Sequence, residues 1–181
     1  LTITSFTADP EALSGRKGVV LSARVHPGES NSSFMMQGLI DYLTGPSLDA
    51  KILRDNFVFK VVPMLNPDGV AIGNYRCSMA GLDLNRMWKD PSKRLTPPIW
   101  HMKQMMRRLQ EDREIVLFVD LHGHQDDLLV VLEGPAQLEG IAIFSHCRKD
   151  DLPVVLAELA CKRQVVAICL YGGEDAAAVA L

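Results

Sequence analysis

Three apolar runs constrain the fold more than any other feature of the chain. Gly18–Val25 (GVVLSARV), Asn56–Val62 (NFVFKVV) and Glu114–Leu121 (EIVLFVDL) are rich in β-branched residues. Each has the length of a strand rather than a helix. A half-exposed strand alternates polar and apolar residues. The first and third runs are nearly continuous, which suits central strands covered on both faces. Helical patterns lie between the runs. Ser32–Leu43 repeats Phe34, Met35, Leu39, Ile40 and Leu43 near a helical period, with Asn31 or Ser32 as its cap and Gly45-Pro46 as its stop. Ile99–Asp112 places Ile99, Met102, Met106 and Leu109 on one side. Strands alternating with helices predict an α/β domain with a mixed, mostly parallel central sheet flanked by helices.

The remaining segments are read more coarsely. Leu1–Phe6 is expected as a strand, Asp9–Gly18 as a polar loop and Leu48–Arg54 as a short helix. Asn66-Pro67-Asp68-Gly69 is a turn signal, with a short strand beginning at Val70. Residues 81–98 are irregular. Further strands are expected at 128–132, 140–144 and 164–171, and a helix at 153–162. A length of 181 residues suits one domain. Both ends read as cut from something longer, so the domain is a partial one.

Composition excludes several functions. A net charge of −3 and a pI near 5.9 argue against a nucleic-acid partner. No apolar run approaches the ~18 residues of a membrane span. The four cysteines form no C-x-x-C pair, which argues against a thiolate metal site and for a reducing, cytoplasmic setting.

Chemistry concentrates in Arg24-Val25-His26-Pro27-Gly28-Glu29-Ser30, the loop after the first run. Pro27 and Gly28 make it a turn, and a strand-to-helix turn throws His26 and Glu29 to one side of the sheet edge where α/β folds hold ligands. An imidazole and a carboxylate are two of the three ligands of a catalytic zinc. His122 ends another buried strand at the same edge and completes a two-His, one-carboxylate set. His124 is a pocket residue or a solvated one. His101 reads as solvated, and His146 as structural.

Five motifs occur in order: His26-Pro-Gly-Glu29, Pro63-Met-Leu-Asn-Pro-Asp-Gly-Val70, Gly73-Asn-Tyr-Arg-Cys-Ser78, Gly81-Leu-Asp-Leu-Asn-Arg86 and Asp120-Leu-His-Gly-His124. Together they resemble the M14 zinc carboxypeptidases, and above all the cytosolic carboxypeptidase subfamily, the tubulin deglutamylases. The resemblance covers roughly residues 1–125, and residues 126–181 are diverged or poorly matched. It implies a zinc carboxypeptidase-like fold, incomplete at its C-terminal end, holding one Zn²⁺ on His26, Glu29 and His122. Arg76 would stabilise the oxyanion, and Asn85 and Arg86 would grip the substrate's terminal carboxylate. Each role suits its residue: Arg pairs with a carboxylate through a planar fork, and a fixed cation stabilises a developing oxyanion. Asp83 and Asp120 either orient ligands or serve the structure alone.

The resemblance further implies removal of C-terminal residues, chiefly glutamate, from acidic protein tails such as those of tubulin. It also requires a general-base glutamate on a late strand. Glu133, Glu158 and Glu174 are available, but none sits in the expected setting, Glu174 being the least poor. Two alternatives follow: an inactive zinc-binding module that holds acidic C-terminal tails, or an amidohydrolase acting on N-acyl amino acids. Tyr75-Arg76-Cys77-Ser78 and the Asp83–Arg86 motif weigh against the latter.

Overall fold

The computed structural model describes residues 1–123 and two strand segments, 142–144 and 166–168. Its elements are β1 (Thr2–Ile3), α1 (Pro10–Ser14), β2 (Lys17–Ala23), α2 (Ser30–Thr44), α3 (Leu48–Asn56), β3 (Phe57–Val62), α4 (Pro67–Ile72), a 3₁₀ turn (Leu84–Arg86), α5 (Pro97–Asp112), β4 (Ile115–Leu121), β5 (Ala142–Phe144) and β6 (Val166–Ile168). The sheet order is β1-β3-β2-β4-β6-β5. Among the described strands only the β1–β3 pairing is antiparallel, so the mixed, mostly parallel sheet is as expected.

The strands bury both faces, as their patterns predict. Val19, Leu21 and Ala23 of β2 join Phe59, Val61, Val119 and Leu121 beneath Met35, Met36 and Leu43 of α2. Val20 and Phe118 point the other way, into a second cluster with Ile99, Met102 and Leu109 of α5 and with Trp88. Removing a side chain such as Leu121 or Phe118 from water contributes about 1.5–3 kcal/mol. A bulge at Val116 interrupts the β2–β4 ladder, since Gly18 pairs with Ile115 but Val19 with Leu117.

Connectivity positions the site. From β2 the chain moves through α2 and α3 to β3 on one side, then returns through α4 and α5 to β4 on the other. The direction therefore reverses between β2 and β4. Such a switch point opens a crevice at the C-terminal strand ends, and His26 and His122 follow those two ends.

Several local expectations need correction. The first strand shrinks to Thr2–Ile3, and the polar loop after it contains α1, capped by Asp9. Helix α2 starts at Ser30 with Glu29 at its N-cap position, so neither Asn31 nor Ser32 caps it. Its buried stripe runs through Met35, Met36 and Leu43, while Phe34 is 72% exposed. The supposed turn at Asn66 and strand at Val70 are instead helix α4. Asn66 Oδ1 accepts from the Gly69 N–H at 3.1 Å and Pro67 takes the first helical position, which are helix-start features shared with turns. The strand segments 142–144 and 166–168 fall within expected strands. The readings at 128–132 and 153–162, and those of His124, His146, Glu133, Glu158 and Glu174, lie outside the described residues.

Candidate metal centre

The strand end of β2 is shaped for a reversal. Arg24 takes a left-handed φ of 60°. Leu65 and Asn66 then donate their N–H groups to the carbonyls of Ala23 and Arg24. Asn66, 1% exposed, also donates its Nδ2 to the Val25 carbonyl at 3.2 Å. The loop that carries His26 and Glu29 is thereby pinned from below.

A second segment lies against the loop from above. The Gly28 N–H donates to the Tyr75 carbonyl at 2.7 Å. A Cβ at Gly28 would enter the Tyr75 ring and come within 2.8 Å of that carbonyl oxygen, so glycine is required by close approach. This contact brings residues 73–78, and Arg76 with them, over the site.

His26, Glu29 and His122 are 5%, 7% and 4% exposed. One candidate ligand atom from each lies within 4.8 Å of the others. The two imidazoles are arranged alike. His26 Nδ1 lies 2.7 Å from Glu29 Oε1, and His122 Nδ1 lies 3.1 Å from Glu29 Oε2. Their Nε2 atoms lie 3.2 Å from Asp83 Oδ1 and 3.0 Å from Asp120 Oδ2. The backbone N–H of Gly123 also donates to Glu29 Oε2 at 3.0 Å.

This arrangement fits a divalent cation. A neutral imidazole that gives its Nε2–H to a carboxylate turns its Nδ1 lone pair toward Glu29. In that neutral form lone pairs face lone pairs across the centre, and a cation relieves the conflict, either a proton on Nδ1 or a metal ion that displaces it. Proton affinities show the same demand. Burial would raise the Glu29 carboxyl, but hydrogen bonds with His122, His26 and the Gly123 N–H hold it far below the usual carboxylate range. Burial would lower His122, yet its bonds to Asp120 and Glu29 push it up to about 10. Two imidazoles and one carboxylate, each imidazole backed by a carboxylate, are the donors and supports of a catalytic zinc.

Asp83 connects His26, a candidate metal ligand, to the expected substrate residues. Its Oδ2 accepts from Arg76 Nε at 2.7 Å, and its Oδ1 accepts from the Asn85 N–H at 2.9 Å and faces His26. Burial would raise the Asp83 carboxyl, but the Arg76 guanidinium holds it low. Asn85 is 9% exposed, and its Oδ1 accepts from the Trp88 indole N–H at 3.1 Å. Indole only donates, so the amide must turn its oxygen to Trp88 and its Nδ2 elsewhere. Arg86 is exposed and has no ion-pair partner among the described residues. His101, as expected, is exposed.

Some functional neighbours were not expected from the sequence. Ser22 Oγ donates to Asp120 Oδ1 at 2.7 Å, fixing the carboxylate behind His122. Asn66 likewise acts through a contact between distant segments, whereas Trp88 and Arg24 act through hydrogen bonds to residues three to nine positions away. The Asn-Pro-Asp-Gly motif was a signal for Asn66, though for a turn rather than a capped helix.

Comparison with known proteins agrees with this geometry. The sequence profile of the zinc carboxypeptidase family, Peptidase M14, matches residues 1–134. Over 134 residues, 74% of the chain, it is 55% identical to cytosolic carboxypeptidase 2 of Mus musculus. Over 124 residues, 68% of the chain, it is 59% identical to cytosolic carboxypeptidase 3 of Bos taurus. These matches span only 16% and 12% of the two relatives. Among solved structures, a metallo-carboxypeptidase from Burkholderia cenocepacia superposes with a TM-score of 0.59 at 32% identity, over 69% of this chain and 32% of that one. A metallo-carboxypeptidase from Pseudomonas aeruginosa gives 0.58 at 33% identity, over 68% and 30%. The chain belongs to the zinc carboxypeptidase family, M14, in its cytosolic carboxypeptidase branch.

Proposed function

We propose that the chain is the zinc-binding part of a cytoplasmic metallocarboxypeptidase that removes C-terminal residues, chiefly glutamate, from acidic protein tails such as those of polyglutamylated tubulin. The observation that supports this best is Asp83, which joins His26, Arg76 and the backbone of Asn85 through one carboxylate. An exopeptidase needs a metal centre and a carboxylate grip at a fixed spacing, and a shared carboxylate is a direct way to set it. The names of the relatives support the cytoplasmic setting. No described helix is long and apolar enough to cross a membrane.

His26, Glu29 and His122 would hold the zinc. When bound, zinc supplies a Lewis acid for the scissile carbonyl and a water of lowered pKa. The chain's own residues do the rest. Arg76, held by Asp83 through Nε, keeps its terminal nitrogens for the oxyanion that develops on the carbonyl. Asn85 offers its Nδ2 and Arg86 its guanidinium to the terminal carboxylate. Arg86→Ala should weaken binding of free-acid tails about tenfold, the lower end of a hydrogen bond to a charged group, and leave amidated tails unchanged. Fluorescence anisotropy with both peptides checks this, and equal loss for both would remove the role.

A second reading is an inactive module that binds acidic C-terminal tails. Among the described residues, the carboxylates touching the two imidazoles are Glu29, Asp83 and Asp120, and each is already engaged. None of them is free to act as general base. The deciding experiment is release of glutamate from a peptide ending in several glutamates, by the zinc-loaded chain, read by mass spectrometry. Release that a chelator abolishes supports the enzyme. Tail binding without release supports the module.

A further inference from the structure

The geometry points to Arg24 as a positioning residue that holds the His26–Glu29 loop in its metal-binding shape. This rests on the metal reading above. Arg24 is the sole non-glycine residue with positive φ among the described residues. A left-handed backbone crowds Cβ against the following carbonyl, so a long side chain occupies it only when its surroundings enforce it. Its guanidinium shows what enforces it. Nε donates to the Pro27 carbonyl and Nη1 donates to Ser33 Oγ, each at 2.7 Å.

These two bonds bracket the ligand loop. Pro27 lies beside His26 within the loop, and Ser33 lies in the first turn of α2, just after Glu29. The Arg24 side chain thus folds over the loop that its own backbone begins. The Asn66 N–H holds the Arg24 carbonyl from the strand side at 3.2 Å. Arg24 touches neither ligand. It acts by fixing the Pro27 peptide, and through it the directions of His26 and Glu29.

The test uses the 181-residue chain with zinc affinity from chelator competition, and with Co²⁺ absorption bands as a reporter of ligand geometry. Arg24→Ala keeps the strained backbone and removes the clamp. Arg24→Gly removes the clamp and relieves the strain. Both should weaken zinc binding about tenfold or more, the scale seen when supports of metal ligands are lost, and both should shift the cobalt bands. Arg24→Lys, with one donor group for two acceptors, should recover part of the affinity.

A residue that only stabilised the fold would change melting temperature and leave the cobalt spectrum of the folded fraction alone. Affinity within twofold of the parent and unchanged cobalt bands in the Gly and Ala variants would overturn the assignment. If Arg24→Ala does not fold, Ser33→Ala decides. It removes one acceptor and should weaken zinc binding and shift the bands to a smaller degree, and an unchanged result overturns the assignment. A parent chain that takes up no zinc would instead overturn the metal reading beneath it.

Discussion

The two histidines of the centre make the same contacts by different routes. Each directs Nδ1 to Glu29 and Nε2 to an aspartate. The aspartate behind His122 is Asp120, two residues earlier at the end of β4 and locked by Ser22 of the neighbouring strand. The aspartate behind His26 is Asp83, distant in sequence and also bound to Arg76 and the Asn85 N–H. One arm is anchored in the sheet. The other is anchored in the segment that carries Arg76, Asn85 and Arg86, the proposed substrate residues. On the proposed function the two supports have separate consequences: the sheet-side arm answers to the fold, and the loop-side arm would couple metal and substrate.

The largest effect should come from removing either ligand. His26→Ala and His122→Ala should both abolish stoichiometric zinc, measured by elemental analysis after dialysis, because two remaining donors no longer make a catalytic site. A variant that kept its metal would break the symmetry between the arms and remove that histidine from the set.

The next effect separates the arms. Asp83→Asn and Asp120→Asn should each weaken zinc about 10–100-fold. With zinc restored at saturating concentration, Asp120→Asn should recover binding of a glutamate-ended peptide. Asp83→Asn should not, because Arg76 and the 3₁₀ turn lose their common anchor. Equal recovery would show that the two arms are interchangeable.

The smallest effect is a proton. His122 is raised from 6.5 to about 10 in the metal-free protein. Its protonated form therefore contributes stability that is fully present below 6.5 and lost as pH rises through about 10. The melting temperature of the metal-free protein should accordingly fall from neutral to alkaline pH. Glu29 and Asp83 are depressed, so their contribution is present above the ordinary carboxylate range and lost on acidification. Zinc needs the Nδ1 lone pair, so binding at pH 7 should release about one proton, seen by calorimetry in buffers of different ionisation enthalpy. No release would mean that His122 is already neutral there.

The clustering of His26, Glu29 and His122 was legible in the sequence because these candidate ligands follow strand ends. A buried strand announces itself by composition, and the residue after it must lie at the sheet edge, so His26, Glu29 and His122 could be grouped before any contact was known. Asp83 and Asp120 were legible as carboxylates but not as partners. Ser22 read as one more small residue in an apolar run. Asn66 was misread because the same residues that stop a chain in a turn also start a helix, and sequence alone does not say whether the next residues continue it.

The sequence by itself determined the mixed, mostly parallel α/β class, the strands at the centre of the sheet, the edge that carries His26, Glu29 and His122, and the family. The class, the strands and the edge follow from local quantities: side-chain periodicity, chain stiffness at proline and glycine, and donor type; the family follows from the resemblance of five motifs in order. Only the tertiary structure decided that Asp83 unites His26 with Arg76, that Ser22 stands behind Asp120, and that a strained Arg24 closes over the loop. The Asp83–His26 and Ser22–Asp120 pairings depend on which segments the crossovers lay side by side, and a hydrogen bond of 3 Å between residues 57 or 98 positions apart leaves no period in the chain; the Arg24 contacts are local but need the left-handed turn that its side chain folds over.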